Sequence, residues 1–178
     1  MSLDRLWAGW RSDFVSGAGS AGGTEPACVF CAILASDRPD IDTHVLWRHP
    51  SGAAAAILNA YPYTSGHLMV MPTRHVGEVE DLSGAESAGL WQGVTAAARA
   101  VKYAYRPEAL NLGANIGRSA GAGVPGHFHM HVLPRWSGDT NFMTTVADTR
   151  VLPEALSESD RKLRAAWPAQ ASTLRPDG

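Results

Sequence analysis

Gly126-His127-Phe128-His129-Met130-His131-Val132-Leu133-Pro134-Arg135 alternates polar and apolar side chains across its three histidines. Successive residues of a β-strand point to opposite faces, which puts His127, His129 and His131 on one face and Phe128, Met130 and Val132 on the other. The apolar face suits a core, and the sheet is then expected to display three imidazoles in a row on its exposed side. Residues two apart in a strand are roughly 7 Å from one another, so a phosphate group can meet more than one ring. Imidazole has an unperturbed pKa of about 6.5. At neutral pH one ring can therefore be a neutral nucleophile beside a protonated donor. The chain has 7 histidines in 178 residues, and three at strict alternation argue for chemistry rather than accident.

Directly upstream runs Asn115-Ile116-Gly117-Arg118-Ser119-Ala120-Gly121-Ala122-Gly123-Val124-Pro125-Gly126. Glycine lets backbone N–H groups approach a ligand closely, as in loops that cradle phosphates. The segment, Ser119 included, is a candidate phosphate loop because of where it stands, and Arg118 is a candidate for neutralising phosphate charge.

Outward from there, short apolar or alternating runs bounded by Gly, Pro, Asn or Ser predict strands over His44–Arg48, Ala53–Ala60, His67–Pro72, Ala109–Ile116 and His127–Leu133. Asn141–Val146 is a weaker sixth. Ser83 and Glu86 form a capping signature, and Leu90, Val94, Val101 and Tyr105 follow at helical spacing. A second helix is expected over Pro153–Trp167, with Leu156, Leu163 and Trp167 inward. The order predicts an α+β fold with a mainly antiparallel sheet, a long central helix and a C-terminal helix. Residues 1–26 read as an aromatic arm (Leu6, Trp7, Trp10, Phe14) followed by a Gly-rich loop. Residues 27–146 form the main domain, and 147–178 a C-terminal helix and tail.

A hydrophobic share of 45% and a charged share of 18% are ordinary for a soluble globular domain. The formal charge of -2 gives no general attraction to a polyanion, so nucleic acid is a poor first guess. No apolar run is long enough to cross a bilayer, and Met1-Ser2-Leu3-Asp4-Arg5 lacks the features of a signal peptide. A cytoplasmic protein with no membrane partner is expected. Cys28 and Cys31, the 2 cysteines, read as a metal or redox pair rather than a structural disulfide.

The triad stretch resembles the signature of the histidine-triad (HIT) superfamily. Asn59-Ala60-Tyr61-Pro62-Tyr63-Thr64-Ser65-Gly66-His67-Leu68-Met69-Val70-Met71-Pro72 resembles that family's other marker, an Asn ahead of a Gly-His-hydrophobic strand ending in Pro. Leu6-Trp7, Tyr61-Pro62-Tyr63 and Pro134-Arg135-Trp136, followed by Asp139-Thr140-Asn141-Phe142, are most similar to the diadenosine tetraphosphate phosphorylase-like branch. The resemblance implies a HIT-like fold with a five-stranded sheet, and a homodimer or larger homo-oligomer. It implies that His129 attacks the α-phosphorus to give a nucleotidyl-histidine intermediate, with His131 at the phosphate and leaving group. Asn59 would bind the ribose, and Asn115 with the backbone of Gly121, Ala122 and Gly123 would line the phosphate path. Many members carry Gln and then Ser or Thr after the Ala-Gly of this loop. Ala122 and Gly123 stand there instead, in a loop one residue longer, which puts simple hydrolysis in doubt and leaves room for a larger acceptor such as inorganic phosphate.

Some bacterial members carry the same cysteine pair in a zinc site completed by two histidines. The matching residues are His75 and His127, which would make His127 a structural ligand as well as a triad member. His44 and His49 are spare candidates, and His67 reads as a hydrogen-bonded structural histidine. The expected activity is cleavage of a dinucleoside polyphosphate by phosphate or water. The alternatives are a nucleoside phosphoramidate or dinucleotide hydrolase, and a noncatalytic nucleotide-binding protein. A zinc hydrolase is disfavoured, since no carboxylate partner stands near the triad.

Overall fold

Alternation along the strands decides which residues meet on which side of the sheet, and so where a site can form. The computed structural model describes residues 28–139 and 154–171. The aromatic arm and the expected sixth strand at Asn141–Val146 lie outside the described residues. Two short helices, α1 (Val29–Leu34) and α2 (Asp40–Thr43), lead into β1 (Val45–Arg48), β2 (Ala54–Leu58) and β3 (Leu68–Pro72). The long helix α3 (Gly84–Tyr105) follows, then β4 (Ala109–Gly113), β5 (Met130–Arg135) and the C-terminal helix α4 (Leu156–Ala171). All strand pairs are antiparallel, in the order β1-β2-β3-β5-β4, so α3 carries the chain past the gap that β5 later fills.

β2 is mostly alanine, a residue of modest strand propensity. It forms a strand because both of its faces are covered, and all of its residues are buried. On one face Ala56, Leu58, Leu68, Val70 and Val132 pack beneath α3 and α4, which contribute Leu90, Val94, Ala97, Val101, Leu163 and Ala166. Gly93 lets α3 lie close: a Cβ there would sit 2.7 Å from Val70 and 2.8 Å from Trp47. On the opposite face Ile57, Met69 and Met71 form a second, smaller core with Phe30 of α1.

The start of α3 is the expected capping box. The Ser83 hydroxyl accepts from Glu86 N–H at 3.2 Å, and the Glu86 carboxylate accepts from Ser83 N–H at 2.8 Å. Leu163 is inward on α4 as predicted, with Leu156 and Trp167 packed at the margin of the same core.

Candidate active site

The register pairs Met69 with His131, so His131 projects from the face opposite α3. The triad strand itself begins only at Met130, three residues later than the alternation implies. A nonlocal bond is the reason: Phe128 N–H donates to Val76 O at 2.6 Å, which pulls the approach segment off the ladder. Gly77 permits that docking, because a Cβ there would stand 3.0 Å from Pro125 O.

A second correction concerns exposure. The three histidines are not displayed on an open face; His127, His129 and His131 are 0%, 4% and 8% exposed. The apolar side chains of α1 need the same sheet face for their own burial. Phe30 lies edge-on to His129 and to His127, with ring centroids 5.2 and 5.5 Å away. Tyr63 stacks on His131 at 5.9 Å.

Hydrogen bonds fix which ring nitrogen carries each proton. His129 Nδ1 lies 2.8 Å from the His127 carbonyl, an obligate acceptor, so Nδ1 holds the proton and Nε2 keeps its lone pair. Burial holds the His129 pKa below the ordinary 6.5, partly offset by this bond to His127 O, and keeps the ring neutral. A chain of donors sets His131 the other way. Tyr63 N–H donates to His67 Nδ1 at 3.1 Å, so neutral His67 carries its proton on Nε2. That nitrogen lies 2.8 Å from His131 Nδ1 and donates to it, leaving His131 with its own proton on Nε2. The rings of His129 and His131 are 5.0 Å apart. One therefore offers a lone pair and its neighbour an N–H.

His127 faces a different task. Its Nε2 donates to Pro72 O at 2.8 Å, which turns the Nδ1 lone pair to the cysteines. Cys28 Sγ and Cys31 Sγ lie 3.4 and 3.5 Å from that nitrogen, and Cys31 Sγ lies 3.4 Å from His75 Nδ1. The four ligand atoms are all within 4.8 Å of one another. Ligands on a tetrahedral zinc ion are separated by roughly 3.3–3.8 Å, so the donor set and spacing fit zinc. Burial and the adjacent Cys28 push the Cys31 thiol pKa up, a penalty on thiolate that a divalent cation reverses. The spare candidates are elsewhere: His44 pairs with Asp160 at 2.9 Å, and His49 bonds Ser51 and Gln92.

The other sequence candidates fall less simply. Asn59 Oδ1 accepts from Tyr61 N–H at 2.9 Å, and its Nδ2 lies 3.3 Å from His67 Nδ1. It thus buttresses the histidine chain, and Oδ1 keeps a second lone pair as acceptor capacity. Arg118–Ala120 form a single helical turn, with Arg118 and Ser119 exposed. Gly121 N–H donates to Arg118 O and Ala122 N–H to Gly117 O, so both amides are spent within the loop. Asn115 and Gly121 are half-buried, Gly123 is exposed, and Ala122 is buried. Sequence reasoning missed Phe30, whose one signal was its place between Cys28 and Cys31. It also missed that His67 donates to the triad, a link that follows only once β3 and β5 are neighbours.

This sheet, with its paired histidines, defines a nucleotide-handling class, and the chain belongs to the HIT family: the HIT domain matches residues 38–138. Among its relatives is a Mycobacterium tuberculosis protein named AP-4-A phosphorylase, 38% identical over 172 residues, covering 94% of this chain and 86% of that protein. A Schizosaccharomyces pombe protein named bis(5'-nucleosyl)-tetraphosphatase (asymmetrical) is 34% identical over 86 residues, 48% of this chain and 47% of its own. A Zn-bound histidine triad family protein from Mycobacterium smegmatis superposes with a TM-score of 0.65 at 32% identity, over 82% of this chain and 96% of that one.

Proposed function

We propose that the protein cleaves dinucleoside polyphosphates of the diadenosine tetraphosphate kind through a nucleotidyl group carried on His129 Nε2. One observation carries this reading: adjacent imidazoles held in opposite tautomers, a lone pair on His129 and an N–H on His131. In the first step Nε2 attacks the α-phosphorus, a P–N bond forms, and the P–O bond to the departing nucleoside polyphosphate breaks. The His127 carbonyl steadies the imidazolium through Nδ1–H. His131 Nε2–H bonds the leaving oxygen as charge develops there, which a stable polyphosphate anion accepts without full proton transfer. In the second step an acceptor oxygen attacks phosphorus and the P–N bond breaks, restoring His129.

Inorganic phosphate is the acceptor we assign, because Ala122 and Gly123 leave no polar side chain at the place where many relatives of this fold carry one. Asn59 at the ribose, with Asn115, Ser119 and the Gly123 backbone along the phosphate path, completes the substrate assignment, and Gly121 and Ala122 hold the shape of that path through amides bonded within the loop. His129 as a whole is 4% exposed, but its Nε2, which makes no hydrogen bond among the described residues, is not among the fully buried polar atoms, so its lone pair can be approached from solvent.

Cys28, Cys31, His75 and His127 would hold zinc as a structural cross-link. When bound, it supplies no group to the reaction. A cytoplasmic setting suits two free cysteines. Residues 27–146 would be the catalytic domain, and a homodimer its working form.

Incubating the protein with diadenosine tetraphosphate, with and without phosphate, tests the proposal. ADP plus ATP, dependent on phosphate, is expected; AMP plus ATP would mark hydrolysis. His129→Gly should lower turnover about a thousand-fold or more while nucleotide affinity stays within a few fold. The enclosure of His129 favours one competing reading, a nucleotide-binding protein without turnover, and binding with no product from any dinucleotide would establish it instead.

A further inference from the structure

We propose that Phe30 is a positioning residue for the nucleophile, and that α1 is the arm by which the Cys–His cluster holds it in place. This rests on the reading of His129 as nucleophile. The single bond from His129 Nδ1 to His127 O fixes one nitrogen but leaves the ring able to swing about that bond. Phe30 removes the freedom: its edge meets the His129 ring at 66° and 5.2 Å, while the same side chain meets His127 at 89° and 5.5 Å. One buried ring, 6% exposed, thus walls both the nucleophile and the residue whose carbonyl orients it.

A helix of six residues does not hold itself together in water. α1 stays docked through Phe30 against Ile57, Met69 and Met71, and through the cysteines at either side of Phe30 in sequence. Cys28 reaches His127, and Cys31 reaches both His75 and His127. A cation joining these four groups pins Phe30 between two anchored points, and one of the anchors is His127 itself. The cluster therefore governs the orientation of the His129 ring through Phe30 as well as through the His127 carbonyl.

The test uses the zinc-loaded protein and the variants Phe30→Ala and Phe30→Leu. Four readouts apply: metal content, histidine-ring 15N–1H correlation spectra, the single-turnover rate of nucleotidyl-histidine formation, and KM. In Phe30→Ala, metal is expected to stay bound and the His129 ring signals to shift and broaden. The single-turnover rate should fall about ten-fold or more with KM within about three-fold. Phe30→Leu, which keeps bulk, should restore most of the loss; if Phe30→Ala does not fold, Phe30→Val takes its place with the same expected loss. Chelating the wild-type protein should reproduce the altered His129 signals. Unchanged His129 signals and rate with metal retained would overturn the role of Phe30, as would a rise in KM alone, which marks a substrate contact. Wild-type His129 signals after complete chelation would overturn the role of the cluster. If the wild type forms no nucleotidyl-histidine, the nucleophile reading fails, and the ring spectra still decide whether Phe30 orients His129.

Discussion

His129 gives its Nδ1 proton to a carbonyl and lies almost wholly out of water, and both facts bear on how it titrates. Burial lowers its pKa from 6.5, and the bond to His127 O opposes but does not cancel that effect. Attack requires the neutral ring, which is the form above the pKa. The acid limb of kcat/KM should therefore fall below pH 6.5, with no further gain from His129 at higher pH. A profile measured on diadenosine tetraphosphate checks this, and a limb centred at or above 6.5 would contradict it. At this scale alternation made legible that His129 and His131 stand side by side, while the role given to the middle histidine came from the family resemblance. The tautomers were not legible, because they depend on Tyr63 N–H and the His127 carbonyl, whose partners are fixed only by the folded backbone. The enclosure was hidden for a related reason: Val29–Leu34 is too short to announce itself as a helix that covers the site.

Elements show the same division between local and nonlocal causes. The capping box of α3 is written in Ser83 and Glu86, three residues apart, and it forms as read. Its further partner, Arg74, comes from the turn after β3 and grips both carboxylate oxygens, at 2.8 and 2.9 Å. Arg74 and the Ser83 backbone together lower the Glu86 pKa from 4.5 to about 2. A carboxylate with a depressed folded pKa adds stability that is full above its unfolded value and lost as pH falls through the folded one. Replacing Glu86 by Ala should cost about 1 kcal/mol at neutral pH, a fall in Tm of about 2–4 °C. It should also flatten the loss of stability between pH 4.5 and 2 that the wild type shows. Thermal melts across that range measure both effects, and parallel acid curves for the two proteins would refute the linkage. The late onset of β5 had no such local sign, since the bond that displaces it joins Phe128 to Val76.

Across the whole molecule, α4 and the free edge of the sheet raise the remaining questions of assembly. Asp160, 1% exposed, bonds His44 at the entry to β1 and takes Arg164 of its own helix on both oxygens, at 3.0 and 3.2 Å. Arg164 also reaches Val45 O at 3.1 Å, so this cluster joins the C-terminal helix to the first strand. Asp160→Ala leaves a partly buried guanidinium without its counter-charge and should cost about 3 kcal/mol, read by denaturant unfolding. The other question is the edge. β1 has α2 beside it, with Arg48 bonded to Asp40 at 2.9 Å. β4 has β5 on one side only, and among the described residues no strand pairs with its other side. Ala109-Leu110-Asn111-Leu112-Gly113 contains no charge and no proline, the usual protections of a lone edge. Leu112 is 47% and Ile116 37% exposed beside it. A second copy meeting this edge in antiparallel fashion would satisfy its backbone groups and cover both side chains, which is the arrangement a twofold dimer permits. If the proposed homodimer forms through this edge, Leu112→Lys should shift sedimentation from dimer toward monomer while leaving the circular dichroism of the subunit unchanged. A wild type that sediments as a monomer at micromolar concentration would remove β4 as the dimer seam.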